Sequence, residues 1–125
     1  VAARREQEAA QQPELPTRAE ALAHIQVLCR AYYPQFAATC PGGHMPKIAV
    51  RDMTTRWGSC SSAGNLNYNW KLVLMPEHVM DYVVIHELAH RKEMNHSARF
   101  YAVVAQQMPD YKVWQSWLKE HGREY

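Results

Sequence analysis

Two histidines and a glutamate within five consecutive residues constrain this chain more than any other feature. The segment from residue 86 to residue 90 is HELAH, which contains His86, Glu87 and His90 in the pattern HExxH. Residues four positions apart lie on one face of an α-helix, so a helix here brings both imidazoles side by side. Glu87 lies about 100° further round the same helix. It can therefore approach whatever the two imidazoles bind without binding it itself.

The residues around the motif predict the helix that this pattern requires. Pro76 stands where the first turn of a helix tolerates proline, and Glu77 suits its positive end. The helix is predicted to continue to about Met94. Asn95 then favours a break, because asparagine tolerates left-handed backbone angles, and Ser97 can cap the following helix.

A third histidine, His96, extends the pattern to HExxHxxxxxH. On one continuous helix it would lie about 15 Å along the axis from His86. It can join the first two histidines only if the helix ends soon after His90 and the chain turns back. Neutral imidazole is a good zinc ligand, and three protein ligands with an open fourth position are typical of catalytic sites. The sequence therefore predicts one zinc ion per chain, held by His86, His90 and His96.

These parts together predict hydrolytic chemistry. Zinc lowers the pKa of the water that it activates and polarises a carbonyl group, and Glu87 would accept the water proton as the general base. Two other interpretations stay open: a zinc that is purely structural, and histidines that only pack and form hydrogen bonds. Five side chains are candidates for stabilising the oxyanion: Arg51, Arg56, Tyr68, Tyr82 and Tyr101.

The first half of the chain predicts one helix and a small sheet. A capping-box pattern precedes helical spacing over residues 18–33. Alternating apolar and polar residues predict strands over residues 47–53 and 66–74. The turn-forming cluster at residues 61–65 favours pairing of its two flanks as a hairpin.

The second half predicts helices only, over residues 98–108 and 110–121 after the HExxH helix. We therefore expect an α+β fold, with a small antiparallel sheet packed on helices and the HExxH motif on a central helix. A chain of 125 residues fits one hydrophobic core. We expect a single domain over residues 17–125, preceded by a polar tail or frayed helix over residues 1–16.

Composition limits the partners and the compartment. A formal net charge of +2 is too small to indicate a dedicated nucleic-acid binder. No apolar run approaches the roughly 18 to 20 residues needed to cross a bilayer, so no membrane partner is expected. An odd number of cysteines without a CxxC pair argues against a disulfide framework and favours a reducing cytoplasm. We expect Cys29, Cys40 and Cys60 to be small buried hydrophobic residues.

Four segments together resemble the YgjP-like metallopeptidase domain family, which is akin to the SprT-like and WLM zincins. They are DMTTRWGSCS at 52–61, NYNWKL at 67–72, DYVVIHELAH at 81–90 and NHSARF at 95–100. The resemblance covers roughly residues 47–121. It implies a zincin-like fold and one zinc bound at His86, His90 and His96, with Glu87 as the base, in a cytoplasmic protein.

The analogy with zincins also gives expectations for substrate binding. The strand around Asn65 to Lys71 is expected to pair with an extended peptide through backbone hydrogen bonds. The side chains expected to contact the substrate are Asn67, Tyr68, Asn69, Trp57 and Arg56. The segment from Trp57 to Cys60 has two interpretations. Either it lines the cleft with Cys60 near the metal, or, as we favour, Trp57 fills the core and Gly58 permits a tight bend.

The leading hypothesis is a zinc-dependent metallopeptidase that hydrolyses peptide bonds in a peptide or protein substrate. One alternative is a DNA-associated, SprT-like protease, which would need a basic surface for nucleic acid. The other is a non-catalytic zinc-binding interaction module, in which Glu87 has no chemical role. The sequence does not indicate an oligomeric state.

Overall fold

The computed structural model describes residues 15–36 and 46–125 of the chain. Most of the predicted N-terminal tail, and Cys40, lie outside these residues. The main elements are α1 (Arg18–Tyr32), β1 (Ile48–Arg51), β2 (Gly58–Cys60), β3 (Leu66–Asn69), α2 (Glu77–Ala89), α3 (Ala98–Gln107) and α4 (Tyr111–His121). Short 3-10 helices follow α1, β3 and α4 at Tyr33–Gln35, Trp70–Leu74 and Gly122–Glu124. The predicted α+β class is confirmed.

The three strands form a mixed sheet in the order β1-β3-β2. β2 and β3 make the predicted antiparallel hairpin. β1 runs parallel to β3, so the expectation of a wholly antiparallel sheet is wrong for this strand. The connection over residues 52–57 crosses to the far side of β3, where Asn69 holds it. The Asn69 side-chain amide donates to the carbonyls of Met53 and Arg56 at 2.9 and 3.0 Å.

The strand predicted over residues 66–74 is shorter than its apolar pattern indicates. It ends at Asn69, whose side-chain oxygen accepts a hydrogen bond from the backbone N–H of Lys71 at 3.1 Å. This bond caps the 3-10 helix Trp70–Leu74, because a short polar side chain offers the backbone a local partner that competes with strand pairing.

Helix α2 lies at the centre of the domain, as predicted for the helix that carries HExxH. Nine of its thirteen residues are buried, and it contacts all three other helices and β2. Tyr68 of β3 is fully buried, and its hydroxyl donates to the Val84 carbonyl at 3.2 Å, which ties the sheet to the helix. Cys29 is buried beside Tyr68, as expected for a small hydrophobic residue. None of the helices described is long and apolar enough to cross a membrane.

Candidate metal centre

The chain reverses direction directly after the second histidine of the motif. α2 ends at Ala89, earlier than predicted, and the N–H of Glu93 donates to the Ala89 carbonyl at 3.0 Å. Asn95 does not adopt the left-handed conformation suggested for it, since no non-glycine residue in the described ranges has a positive φ. Ser97 caps α3 as predicted, because its hydroxyl oxygen accepts from the N–H of Phe100 at 3.3 Å.

This reversal brings three imidazoles together. The Nε2 atom of His90 lies 3.3 Å from that of His86 and 3.1 Å from that of His96. The Nε2 atoms of His86 and His96 are 3.2 Å apart. Zinc bound tetrahedrally by nitrogen atoms at about 2.0 to 2.1 Å needs nitrogen–nitrogen separations of about 3.3 Å. The three residues predicted as ligands therefore have the spacing that a zinc ion requires.

On two of these rings, the Nδ1 atom has a partner outside the cluster. Nδ1 of His90 donates to the Glu93 carbonyl at 3.1 Å, which leaves Nε2 unprotonated in the neutral ring. Nδ1 of His86 lies 3.3 Å from the Tyr82 hydroxyl, within hydrogen-bonding distance. Outer partners of this kind fix the tautomer and the orientation of metal-binding histidines. The donor set therefore fits a metal ion on chemical grounds as well as on distance.

Phe100 is a residue whose role at the site the sequence did not indicate. It is fully buried, and its ring centroid lies 4.8, 4.4 and 5.1 Å from those of His86, His90 and His96. Burial, with smaller effects of His90 and His96, lowers the pKa of His86 to about 3. Burial also lowers the pKa of His90. Both shifts favour the neutral ring, which is the form that binds a metal ion.

Glu87 lies beside the histidine cluster and is 4% exposed. One of its carboxyl oxygens is 3.9 Å from Nε2 of His90. Burial raises the pKa of Glu87 to about 7, and the positive charge of Arg56 opposes this rise. A carboxyl group whose pKa is close to the working pH can both accept and donate a proton, which is the requirement for general acid–base chemistry.

The surface around Glu87 is concave on two sides. A cavity of about 400 Å³ is lined by the three histidines, Glu87, Arg56, Met94 and the strand β2. A second cavity of about 250 Å³ lies against Tyr82 and Leu118 and is also lined by His86, Glu87 and Arg56. A substrate group in either cavity would therefore lie next to Glu87.

Three of the predicted substrate-binding side chains are engaged within the protein. Tyr68 is buried and bonded to α2, and Asn69 is buried and bonded to the connection before β2. Asn67 accepts a hydrogen bond from the Arg51 guanidinium at 3.0 Å. Tyr68 and Asn69 are therefore held by hydrogen bonds within the fold, and neither lines the two cavities beside Glu87.

The other two predicted residues, Arg56 and Trp57, do lie near the site. Arg56 is exposed and lines both cavities, whereas Trp57 is partly buried and lines only the smaller one. Cys60 lines the larger cavity, but its sulfur bonds the Ser61 carbonyl, and it is outside the histidine group. Gly58 needs no special backbone angle here. A Cβ atom at Gly58 would lie 2.8 Å from Cγ of Glu87, so the glycine is needed for space.

The strand that borders the site is β2, not β3 as expected. β3 pairs with a strand on each side, so it has no free edge for an extended substrate. β2 is at the end of the sheet order, and Gly58, Ser59 and Cys60 line the larger cavity. Within residues 15–36 and 46–125, no strand pairs with its outer edge.

Comparison with known proteins identifies the family and the fold of the chain. No curated protein matches the chain significantly. Among solved structures, the crystal structure of the metallopeptidase zymogen of Pyrococcus abyssi abylysin has the same fold, with a TM-score of 0.63 and 22% sequence identity. The match covers 77% of this chain and 93% of that one. The family model described as YgjP-like, metallopeptidase domain, matches residues 1–121. The chain therefore belongs to the YgjP-like metallopeptidase domain family.

Proposed function

We propose that this chain is a zinc-dependent peptidase in which His86, His90 and His96 hold one zinc ion and Glu87 is the general base. The observation that carries this proposal is the convergence of three Nε2 atoms, 3.1 to 3.3 Å apart, beside a buried carboxyl group. Nε2 of His90 carries no proton in the neutral ring, because Nδ1 donates to the Glu93 carbonyl, and a cation bound by all three Nε2 atoms accounts for their approach. Three protein ligands leave one position for water or substrate.

Zinc, Glu87 and Arg56 have different roles in the proposed hydrolysis. Bound zinc would supply Lewis-acid chemistry, lowering the pKa of water and polarising the scissile carbonyl. Glu87 accepts the proton of the attacking water and returns it to the leaving amine. Arg56, which lines both cavities, stabilises the negative charge that develops on the substrate oxygen.

We further propose that the substrate is a peptide or an extended segment of a protein that lies along β2. An exposed strand edge offers backbone N–H and C=O groups to an added strand. The line of residues Gly58–Cys60 runs beside Glu87 and the histidine cluster, so a segment paired there would pass the reacting groups.

The test is the Glu87→Gln variant, which keeps the shape of the side chain but removes the base. We expect it to retain zinc and to lose cleavage of a denatured protein mixture by at least about 100-fold, the usual contribution of a general base. Cleavage is measured by mass spectrometry and metal by elemental analysis. Glu77→Gln is the matched control, because it makes the same change at an exposed position in the first turn of α2.

Equal cleavage by wild type and Glu87→Gln would contradict the assigned role of Glu87. A wild-type protein that holds zinc but cleaves nothing would instead indicate a non-catalytic zinc-binding module.

A further inference from the structure

A separate cavity of about 360 Å³ adjoins the site and is basic. Arg56, Lys71 and Arg123 line it, Tyr125 lines it as well, and none of its described lining side chains is acidic. The three cations come from three places in the chain: the connection before β2, the 3-10 helix after β3 and the 3-10 helix after α4. We call this space the basic cavity.

Two of these three cations, Lys71 and Arg123, are outside the ion pairs of the described residues. Glu120 and Glu124 are the acidic residues closest in sequence to Arg123, and their carboxyl oxygens lie 3.9 and 3.1 Å from ring nitrogens of His121. Glu120 also lines a different cavity together with Arg123. In the part of the chain that the structure describes, no carboxylate forms an ion pair with Lys71 or Arg123. An anion entering the basic cavity would therefore meet Lys71 and Arg123 without displacing a paired carboxylate of the described residues, whereas Arg56 also acts on Glu87.

The basic cavity borders the space around Glu87 and shares walls with it. Thr55, Arg56, Trp57 and Leu118 line both the basic cavity and the cavity of about 250 Å³ that reaches His86 and Glu87. The basic cavity is therefore next to the space in which a substrate would meet Glu87.

We propose that the basic cavity binds a carboxylate of the substrate and so gives a preference for negative charge close to the cleaved bond. The inference rests on the proposed peptidase function. A guanidinium matches a carboxylate with two parallel hydrogen bonds, and a lysine adds a mobile positive charge. A concave space of side-chain size suits a peptide group, whereas nucleic acid needs an extended basic surface. The carboxylate is that of an aspartate or glutamate side chain, or a free C-terminus.

The experiment measures binding rather than cleavage, so that it does not depend on catalysis. Zinc-loaded Glu87→Gln protein is titrated with short labelled peptides of otherwise neutral sequence. One pair differs by Glu or Gln at a single position, which is moved along the peptide, and the other pair differs by a free or amidated C-terminus. We expect the charged member of one pair to bind about fivefold more tightly, with a preference that weakens as salt is added. The pair that shows the preference identifies the source of the carboxylate.

Variants of the cavity provide the link to structure. Adding Lys71→Gln or Arg123→Gln should reduce the preference, and Arg123→Glu should shift it toward a peptide with lysine at that position. Lys112→Gln is the matched control for lost positive charge, because Lys112 is exposed on α4. It should leave the preference unchanged. Circular dichroism and zinc content confirm that each variant is folded.

Equal binding of charged and neutral peptides, or absence of peptide binding, would overturn the proposal. So would duplex DNA binding that depends on Lys71 and Arg123 in place of a peptide preference. In another outcome, the peptides bind with a charge preference and yet are not cleaved by the wild-type protein. This outcome would contradict the peptidase function and would still support carboxylate binding in the basic cavity. Equal cleavage of charged and neutral peptides would support the peptidase function and would contradict carboxylate binding in the basic cavity.

Discussion

The Glu87 carboxyl group is enclosed by groups that act on it in different ways. Burial favours its protonated form, and Arg56 favours its charged form, so its pKa is held at about 7. Gly58 controls its position rather than its charge, because the glycine lies where any larger residue would touch the glutamate. The charge of Glu87 is therefore governed by burial and by Arg56, and its position is governed by Gly58.

Replacing Gly58 with alanine should displace the Glu87 side chain. The added Cβ atom would lie 2.8 Å from Cγ and 2.9 Å from a carboxyl oxygen, so the glutamate has to move. Because small misplacements of catalytic groups cost up to about 100-fold, we expect kcat to fall by at least about tenfold while zinc is retained. Kinetics and metal analysis of Gly58→Ala are compared with Ser62→Ala in the exposed hairpin turn. An unchanged kcat would show that Glu87 is not confined in this way.

Removing the charge of Arg56 should alter the dependence of activity on pH. The base must be deprotonated, so activity falls as the pH decreases through the pKa of Glu87. Arg56 lowers that pKa, and Arg56→Gln should therefore move the acidic limb of kcat/KM to higher pH. Arg51→Gln is the control, since Arg51 bonds Asn67 on the sheet. If the acidic limb of the kcat/KM profile is unchanged in Arg56→Gln, or moves to lower pH, Glu87 is not the group whose titration causes that limb.

At the scale of elements, the two helices contribute to the site unequally. α2 and the turn after it carry His86, Glu87 and His90 within a buried helix. His96 is exposed and directly precedes the Ser97 cap of α3. Its position therefore depends on where α3 begins, and the cap fixes that point.

Ser97→Ala should weaken zinc binding as well as the fold. Loss of an N-cap costs about 1 kcal/mol in the free energy of unfolding, and the frayed end of α3 would release His96. Thr17→Ala is the matched control, because it removes the equivalent hydrogen bond at the start of α1, to the N–H of Glu20. Chemical denaturation should give similar losses, whereas competition with a chelator should show weaker zinc binding only in Ser97→Ala. Equal zinc affinities would mean that α3 does not position His96.

At the scale of the whole molecule, the sequence predicts those features that neighbouring residues determine. It does not predict features that depend on contacts between distant parts of the chain. The spacing of His86 and His90 and the cap at Ser97 are local, and both were predictable. The need for a reversal to bring in His96 also followed from helix geometry. The direction of β1 was not predictable, because an apolar pattern indicates a strand but not its partner. In the folded chain, the connection that lets β1 run parallel to β3 is bonded to the Asn69 amide through the carbonyls of Met53 and Arg56.

The basic cavity and the packing of Phe100 could not be predicted from the sequence for the same reason. Lys71 and Arg123 are far apart in sequence and meet only in the folded chain. A net charge of +2 gives no sign of their local concentration. Similarly, Tyr68 and Asn69 lie on the strand that was expected to face the substrate, but the sheet order places that strand in the middle. Their roles became clear only from tertiary contacts.

The central claim is that the three histidines form one metal site, and metal content per chain tests it most directly. Gently purified wild-type protein should contain about one zinc per chain, the number that one three-ligand site holds. His90→Ala should lose it, whereas His78→Ala, which removes an exposed histidine that stacks on Trp114, should keep it. No bound metal in the wild type after zinc is added back, or equal zinc in His90→Ala, would contradict the account.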